Sequence, residues 1–382
     1  MPTFDYLSHH DWLIYDETQN PDAQLKDTSM ALQDSFIRFL PTQNIALNTA
    51  ASATPESSSL LEKAPAALVE QDAAKVLAEG ASAQVSAEAV KSEACSEQAT
   101  AAKAAGLGGL GTAETAKNEA AGVPKANGHL LNKSLIEERA TKPKALLHFY
   151  PSVRNTILLG AKDKLLTNFS VGVDYLVDQG YTVTLRPHGG LAVVNDAGVL
   201  NLALVSDNNH YPLTIDEAYQ QMVRLIDLTL ARYNLQVEAY EIADSYCPGK
   251  FDLVVGGRKI GGIAQRRFKS GLTTAAYISV SGDQKARAEL IRDFYEVAQA
   301  DERFPTVNPP SMISLTDLLP EGQAERLTVS RFKEDLLATI AEFSTYQAGD
   351  YLNPELQAIY QPRLEQAVKR SLSIQNPPKN NR

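Results

Sequence analysis

Aromatic residues are absent from a long part of this chain, since none occurs between Phe39 and Phe149. Alanine, glutamate, lysine, serine and glutamine fill much of that stretch. A segment without large apolar side chains cannot bury enough surface to offset the entropy that it loses on ordering. The composition therefore predicts a disordered or partly helical insertion at residues 48–141, and its best stretch for a helix is 66–90.

Cysteine is also scarce, and the two in the sequence are Cys95 and Cys247. Two thiols cannot make the disulfide framework of a small secreted domain, which favours a reducing cytoplasm. The cysteines and the six histidines show no metal-ligand spacing, so we expect no metal. Cys95 lies in the aromatic-free stretch with only Lys91 close by as a cation. Cys247 is therefore the candidate nucleophile.

Long apolar runs and an excess of positive charge are missing too. No uncharged apolar run approaches the roughly 18 residues that a membrane-spanning helix needs, and the N-terminus lacks the basic start and apolar run of a signal peptide. The net charge of -10 argues against general nucleic-acid binding, which requires a basic surface. These absences predict a soluble, cytoplasmic protein that binds neither membranes nor nucleic acid.

Outside the aromatic-free stretch, strand and helix patterns alternate. A short apolar run at 12–15 predicts a strand, and an apolar stripe over 28–40 predicts an amphipathic helix. The turn residues 195–198 between two apolar runs predict a β-hairpin. The pattern predicts an α/β fold with a mixed, largely antiparallel sheet flanked by helices.

The same patterns predict how the chain is divided. We expect residues 1–47 to add a strand and a helix to a main domain at 142–304. Residues 48–141 are then inserted between these two parts, which is tolerable because the cost of closing a loop grows slowly with its length. Residues 305–382 are expected to form a C-terminal helical extension.

A pair of glycines gives the clearest local signal in the second half of the chain. Gly256-Gly257 separates two apolar runs, and paired glycines suit a two-residue turn with positive φ. In that register Val254 pairs with Lys259 and Asp252 pairs with Gly261. Asp252 is then a diagonal neighbour of Lys259, within reach of its long side chain.

This hairpin directs Lys259 toward Cys247, which lies just before the first strand at a Pro248-Gly249 turn. An ammonium group near a thiol favours the thiolate, which is the nucleophilic form. Spacing alone also fits a plainer interpretation, in which the cysteine is a small buried apolar residue and the lysine is solvated.

A second glycine-rich turn, 186–190, reads Arg-Pro-His-Gly-Gly. Its glycines would let a ligand approach backbone N–H groups, although an ordinary hairpin end has the same composition. The turn lacks the Gly-Lys-Ser/Thr ending of a Walker phosphate loop. Asn201, a polar residue among apolar strand positions, is expected to satisfy buried backbone or ligand groups.

Together these motifs resemble the superfamily of lipoate–protein ligases and lipoyl/octanoyl transferases. Residues 186–201 are similar to its first signature and residues 252–267 to its lysine signature. Residues 245–249, Ser-Tyr-Cys-Pro-Gly, resemble the branch called octanoyl-[glycine cleavage H protein]:protein N-octanoyltransferase. The resemblance covers roughly 1–46 and 146–300, with some of the C-terminal helices, and implies a fold like the biotin and lipoate ligase catalytic domain.

The resemblance implies an acyltransferase of protein lipoylation that uses no cofactor. Cys247 would carry an octanoyl or lipoyl group as a thioester, and Lys259 would favour its thiolate and orient the acyl carbonyl or the attacking amine. The donor would be the glycine cleavage H protein or a similar octanoylated carrier, and the acceptor a lipoyl domain of a 2-oxoacid dehydrogenase complex. The substrate-binding residues would be Arg186, His188, Gly189, Gly190, Asn201, Gly261 and Gly262.

Two alternatives remain, an ATP-dependent lipoate–protein ligase and a non-catalytic acyl-binding scaffold. The ligase branch typically carries a double arginine and three successive glycines in its first signature, whereas residues 186–191 contain one arginine and two glycines. A ligase also needs no acyl-carrying thiol. Both departures favour transfer without ATP.

Two expectations concern the surroundings of the thiol. Leu191, Val193 and Ile263 are expected to line an acyl channel. A basic cluster is expected to steer an acidic carrier domain to the site, with a solvated strand face as the alternative; its members are Arg258, Lys259, Arg266, Arg267 and Lys269.

Overall fold

The computed structural model describes residues 6–18, 26–52, 142–151 and 155–375, and all of them belong to one unit of the chain. The predicted insertion at 48–141 lies outside these ranges, except that residues 48–52 continue a helix. The stretch 66–90 and Cys95 also lie outside the described residues.

The described residues contain eleven strands. Their bounds are β1 (Asp11–Asp16), β2 (Lys144–Tyr150), β3 (Thr156–Leu159), β4 (Thr182–Leu185), β5 (Val193–Asn195), β6 (Val199–Asp207), β7 (Glu238–Ala239), β8 (Leu253–Val255), β9 (Arg258–Phe268), β10 (Gly271–Ser279) and β11 (Tyr346–Ala348).

Helices in the same ranges cover both sides of the strands. Their bounds are α1 (Tyr6–His9), α2 (Lys26–Ser52), α3 (Phe169–Asp178), α4 (Ile215–Leu230), α5 (Gln284–Val297), α6 (Glu321–Ala324), α7 (Val329–Phe343) and α8 (Pro354–Gln375). Short 3-10 turns occur at Ala161–Leu165, Ala231–Tyr233, Pro309–Ser311 and Leu315–Leu318. None of the described helices is long and apolar enough to cross a membrane.

Within the described residues the strands form two sheets. Eight strands make the larger sheet, in the order β11-β1-β2-β6-β10-β9-β8-β7. Only β1 pairs in parallel there, with β2 and with β11, and the other pairs are antiparallel. The smaller sheet has the order β4-β3-β5. The predicted mixed, largely antiparallel sheet flanked by helices is confirmed.

The predicted hairpin at 195–198 is wrong, because β5 and β6 lie in different sheets. The turn between them is fixed to a neighbouring element instead. Arg287 of α5 holds Asp196 through two contacts of 2.7 and 2.6 Å. The carbonyl of Gly198 accepts hydrogen bonds from the N–H groups of Val280 and Ser281. These contacts direct the chain from one sheet into the other.

The hairpin at Gly256-Gly257 is confirmed, with φ values of 57° and 77° at its two glycines. Val254 pairs with Lys259 as predicted. The predicted partner of Gly261 is wrong by one residue, because a β-bulge shifts the register and Leu253 takes the place of Asp252.

Two apolar clusters position the site. One packs beneath the larger sheet, where all nine residues of β6 are buried. The other joins the smaller sheet to α3 and α5. On the opposite face of the larger sheet, α2 and α8 pack through Phe36 and Leu356. The turn at 186–190 follows β4 and the cysteine loop precedes β8, so the two meet at the boundary between the sheets.

Candidate active site

The backbone of Cys247 is strained. Its φ is 49°, in the left-handed region that residues other than glycine seldom adopt. Such conformations cost about 1–3 kcal/mol and persist where the surrounding contacts enforce them. The loop between β7 and β8 therefore needs strong local contacts to hold the cysteine in place.

Lys259 supplies those contacts from β9. Its side chain is fully buried, and Nζ donates to the carbonyl oxygens of Cys247 at 2.8 Å and of Tyr246 at 3.0 Å. Nζ also lies 3.1 Å from Ser245 Oγ and 2.9 Å from Asp252 Oδ1. Lys259 thus reaches Cys247 at its main-chain carbonyl, and its four contacts hold the loop against β9.

Asp252 completes the support behind the cysteine. While Oδ1 pairs with Lys259, Oδ2 accepts from the backbone N–H groups of Ile242 at 3.1 Å and of Gly249 at 3.2 Å. Burial raises the pKa of Asp252, and the ammonium of Lys259 opposes that rise. The carboxylate therefore joins both ends of the loop to the strand that carries the lysine.

The thiol faces the other turn. Cys247 Sγ accepts from Arg186 Nη2 at 3.3 Å and from the backbone N–H of Leu191 at 3.2 Å. The same Arg186 nitrogen donates to the Leu191 carbonyl at 2.6 Å. Burial lowers the pKa of Arg186, whereas the negative charges of Cys247 and Asp163 raise it. The raising effects are together larger, so the net shift of the pKa is upward. The cation that contacts the sulfur is therefore Arg186.

Gly190 makes this contact sterically feasible. Its φ is 102°, and a Cβ there would lie 2.4 Å from Arg186 Nη2 and 3.0 Å from Cys247 Sγ. A side chain would push the arginine away from the thiol. Gly189 differs, because a Cβ there would meet nothing within 4 Å.

A buried carboxyl supports the arginine turn from behind. Asp163 is fully buried and accepts from the Gly160 N–H at 2.8 Å and from the Tyr295 hydroxyl at 3.1 Å. The Ala192 N–H donates to that hydroxyl at 3.3 Å. Burial raises the pKa of Asp163 to about 6, although the Gly160 hydrogen bond and the charge of Arg186 oppose it. No sequence motif marks this network, which fixes the chain just after Leu191.

The thiol opens onto a cavity of about 230 Å³, somewhat below the ~300–1,000 Å³ of typical small-molecule pockets. Its wall includes these predicted site residues: Cys247, Arg186, His188, Gly189, Gly190, Asn201 and Gly262. Its apolar side chains include Met30, Leu158, Val193, Ile263, Ala275 and Ala276. The wall suits a narrow, unbranched apolar chain.

Three residues that the sequence predicted at the site do not line the cavity. Lys259 and Gly261 lie behind the cavity wall, and a Cβ at Gly261 would clash with the Tyr277 carbonyl at 2.2 Å. Leu191 packs in the adjoining core and contributes its backbone N–H to the thiol. The prediction that its side chain lines the channel is wrong, while Val193 and Ile263 do line it.

Two polar residues of the wall are electrically neutral. Asn201 Nδ2 donates to Asn195 Oδ1 at 2.6 Å. Burial lowers the pKa of His188 to about 3, assisted by the charges of Arg186, Arg266 and Arg370. His188 Nε2 has no hydrogen-bond partner among the described residues. Among the described residues, no group of three or more His, Cys, Asp or Glu side chains could hold a metal ion.

The predicted basic cluster includes one residue that does not reach the surface. Lys259 is buried and paired with Asp252, so its inclusion is wrong. Arg266 pairs with Asp34, and Arg267 donates to the Leu213 carbonyl. Arg258, Arg267 and Lys269 are exposed.

Comparison with known proteins identifies the family. The model of the lipoyl protein ligase A/B catalytic domain matches residues 128–341, which is more than half of the chain. The chain belongs to the lipoyl protein ligase A/B catalytic domain family. This membership agrees with the superfamily that the motifs indicated.

The chain is also similar in sequence to two transferases and in fold to a ligase. An octanoyl-[GcvH]:protein N-octanoyltransferase of Bacillus velezensis is 38% identical over 227 residues, which cover 57% of this chain and 77% of the relative. A lipoyl-[GcvH]:protein N-lipoyltransferase of Listeria monocytogenes is 44% identical over 168 residues, which cover 43% and 60%. A crystal structure of lipoate-protein ligase A bound with ATP is 18% identical with a TM-score of 0.46, over 60% of this chain and 87% of the other.

Proposed function

We propose that this protein transfers an octanoyl or lipoyl group from a lysine of one protein to a lysine of another through a thioester on Cys247. The observation that carries the proposal is the position of Sγ, which receives hydrogen bonds from Arg186 and from the Leu191 N–H at the wall of an apolar cavity. A polarised thiol beside an acyl-sized cavity is suited to covalent acyl transfer.

In the first step, the Cys247 thiolate attacks the carbonyl carbon of the donor's acyl-lysine amide. A C–S bond forms, the C–N bond breaks, and the lysine nitrogen takes up a proton and leaves as an amine. The intermediate carries an oxyanion, which needs positioned donors. The Arg186 guanidinium and the Leu191 N–H are the donors closest to the sulfur.

In the second step, the ε-amine of the acceptor lysine attacks the thioester. The C–S bond breaks, Cys247 leaves as thiolate beside Arg186, and the new amide nitrogen loses a proton. His188 remains neutral because of its low pKa, so its ring nitrogen can accept a hydrogen bond from the incoming amine. One amide replaces another, and the cycle therefore consumes no ATP.

The relatives indicate the partners. Their names specify octanoyl-[GcvH] or lipoyl-[GcvH] as one substrate, so the glycine cleavage H protein is our proposed donor. Lipoyl domains of 2-oxoacid dehydrogenase complexes are the proposed acceptors. Both cargoes share an eight-carbon acyl chain, which the apolar side chains of the cavity wall suit.

Incubation with octanoylated H protein in the absence of ATP tests the proposal. We expect intact-mass spectra to show an octanoyl adduct that maps to Cys247 and that passes to an added lipoyl domain. The Cys247→Ala variant should form no adduct. Transfer that survives this substitution and requires ATP would instead indicate a ligase, and acyl binding without transfer would indicate a scaffold.

A further inference from the structure

Four arginines from three separate elements gather beside the cavity. Arg38 comes from α2, Arg266 from β9, and Arg363 and Arg370 from α8. We call this set the arginine rim. It is unexpected in a chain whose net charge is -10.

The rim has more positive charge than its own carboxylates neutralise. Asp34 lies 2.5 Å from Arg266, 3.6 Å from Arg38 and 3.9 Å from Arg363, so one carboxylate serves three guanidinium groups. Arg370 forms no ion pair with a described carboxylate, and its Nε is buried without a hydrogen-bond partner.

The pKa of Arg370 also indicates an excess of positive charge in the rim. Burial lowers the pKa of Arg370, and the charges of Arg266 and Arg363 contribute to that shift while Asp34 and Asp27 oppose it. Asp27 is itself engaged by the hydroxyl groups of Thr184 and Ser371. An additional anion would relieve the repulsion among these cations.

The rim also lies close to the acyl site. The positive charges of Arg266 and Arg370 help to lower the pKa of His188, which lies in the cavity wall. Met30, one helical turn before Asp34 on α2, lines the same cavity, and so does Gln33, the neighbour of Asp34. A partner whose acyl-lysine occupies the cavity therefore has its adjacent surface against the rim.

We propose that the arginine rim docks an acidic surface of the acyl carrier protein, next to its acylated lysine. This inference rests on the proposed function. The side chains of Arg38, Arg266 and Arg363 are 19%, 28% and 23% exposed, so they form a recessed surface that a partner can still reach.

The spacing favours a protein surface over a single phosphate group. Arg363 and Arg370 are seven positions apart, which is two helical turns or about 10 Å. Three of the guanidinium groups converge on Asp34, whereas Arg370 makes no ion pair with a described carboxylate. Several carboxylates on a partner therefore match the full length of the rim better than a single phosphate. Arg38 also stacks on the Phe268 ring, with its guanidinium carbon 3.5 Å from the centroid, and this fixes one end of the rim.

The test measures docking without chemistry. In a Cys247→Ala background, calorimetry would compare the affinity for octanoylated H protein of the parent and of an Arg363→Gln/Arg370→Gln variant. We expect roughly tenfold weaker binding and a smaller dependence on salt concentration. Lys369→Gln is the matched control, since it removes an exposed charge from the same helix, and it should stay within about twofold.

A second measurement separates docking from damage to the acyl site. With Cys247 intact, a small octanoyl thioester should acylate the double variant as fast as the parent protein. Equal loss with the small thioester, or unchanged binding of the H protein, would overturn the inference. So would inorganic phosphate that binds the parent but not the double variant, because it would show a phosphate site. If the small thioester never acylates the parent, the proposed function fails, while the binding comparison still reports on docking.

Discussion

The two sides of Cys247 each present a cation, but the cations meet different environments. Lys259, behind the cysteine, is fully buried and has four oxygen acceptors, one of them a carboxylate. Arg186, in front, makes no ion pair with a described carboxylate and contacts the sulfur. The charge of Lys259 is neutralised within the loop, whereas that of Arg186 remains available to a thiolate.

This contrast separates positioning from activation. A buried ion pair with complete hydrogen bonding fixes geometry, and removal of one partner is costly. A cation whose best anionic neighbour is the nucleophile instead stabilises its charged form. We therefore propose that Lys259 positions the loop and that Arg186 acts on the thiol.

The largest effect is expected from Lys259→Met. It leaves Asp252 buried without its cation and removes the donor to two loop carbonyls. We expect a loss of about 3–5 kcal/mol in the free energy of unfolding, measured by denaturant titration. Adding Asp252→Asn should recover part of that loss, because the unpaired charge is then gone. A single variant within about 1 kcal/mol of the parent would contradict the assigned role.

The next effect is expected from Arg186→Gln. Hydrogen bonds to charged groups contribute about 1.5–3 kcal/mol, so thiol alkylation at neutral pH should slow roughly 10- to 100-fold. The unfolding free energy should change little, because the guanidinium has no carboxylate partner to leave unpaired. Arg186→Lys keeps the positive charge, so its rate of thiol alkylation should fall between those of the parent and of Arg186→Gln. An unchanged alkylation profile would return the activating role to Lys259.

The pH dependence of stability gives a third comparison. His188 on the Arg186 side has a pKa of about 3 against an ordinary value of 6.5, so folding favours its neutral form. Its contribution is present above pH 6.5 and is lost as the pH falls toward 3. At pH 5 the loss should be about 2 kcal/mol. His188→Gln should flatten the stability curve between pH 7 and 5 by that amount, and a curve that stays as steep would contradict the shift.

The smallest effect is expected from Gly190→Ala. Alanine at φ 102° costs about 1 kcal/mol, and its Cβ displaces Arg186 from the sulfur. Thiol alkylation should therefore slow in the same direction as in Arg186→Gln, but by less. Gly189→Ala is the matched control, because its Cβ meets no atom within 4 Å. Equal behaviour of the two alanine variants would show that the close approach at Gly190 is unimportant.

Local patterns predicted much of this site. The Gly256-Gly257 turn aligned Val254 with Lys259 and brought Asp252 within 2.9 Å of the lysine. The bulge after Leu253 was not predictable, because it comes from contacts of the whole loop with Asp252. The alternation of strands and helices along the chain was likewise accessible from periodicity.

Contacts between distant parts of the chain could not be predicted in this way. Arg186 meets Cys247 across 61 positions, and neither residue has a local feature that indicates the other. Asp163 looks like an ordinary turn residue in the sequence. The prediction of a hairpin at 195–198 was wrong for the same reason, because the ion pair of Asp196 with Arg287 joins residues 91 positions apart in the sequence.

The placement of β1 has a consequence for the folding of the whole enzyme. Trp12 pairs with Tyr346, and Asp11 pairs with Lys144, so the end of the larger sheet that contains β1 is built from pairings between distant parts of the chain. Such non-local pairing makes folding slow. During synthesis, β1 has no outer neighbour until residue 346 has emerged, and Arg370 emerges later still. The surface that we propose for carrier docking is thus completed last, which would keep partly synthesised chains from engaging an acylated carrier.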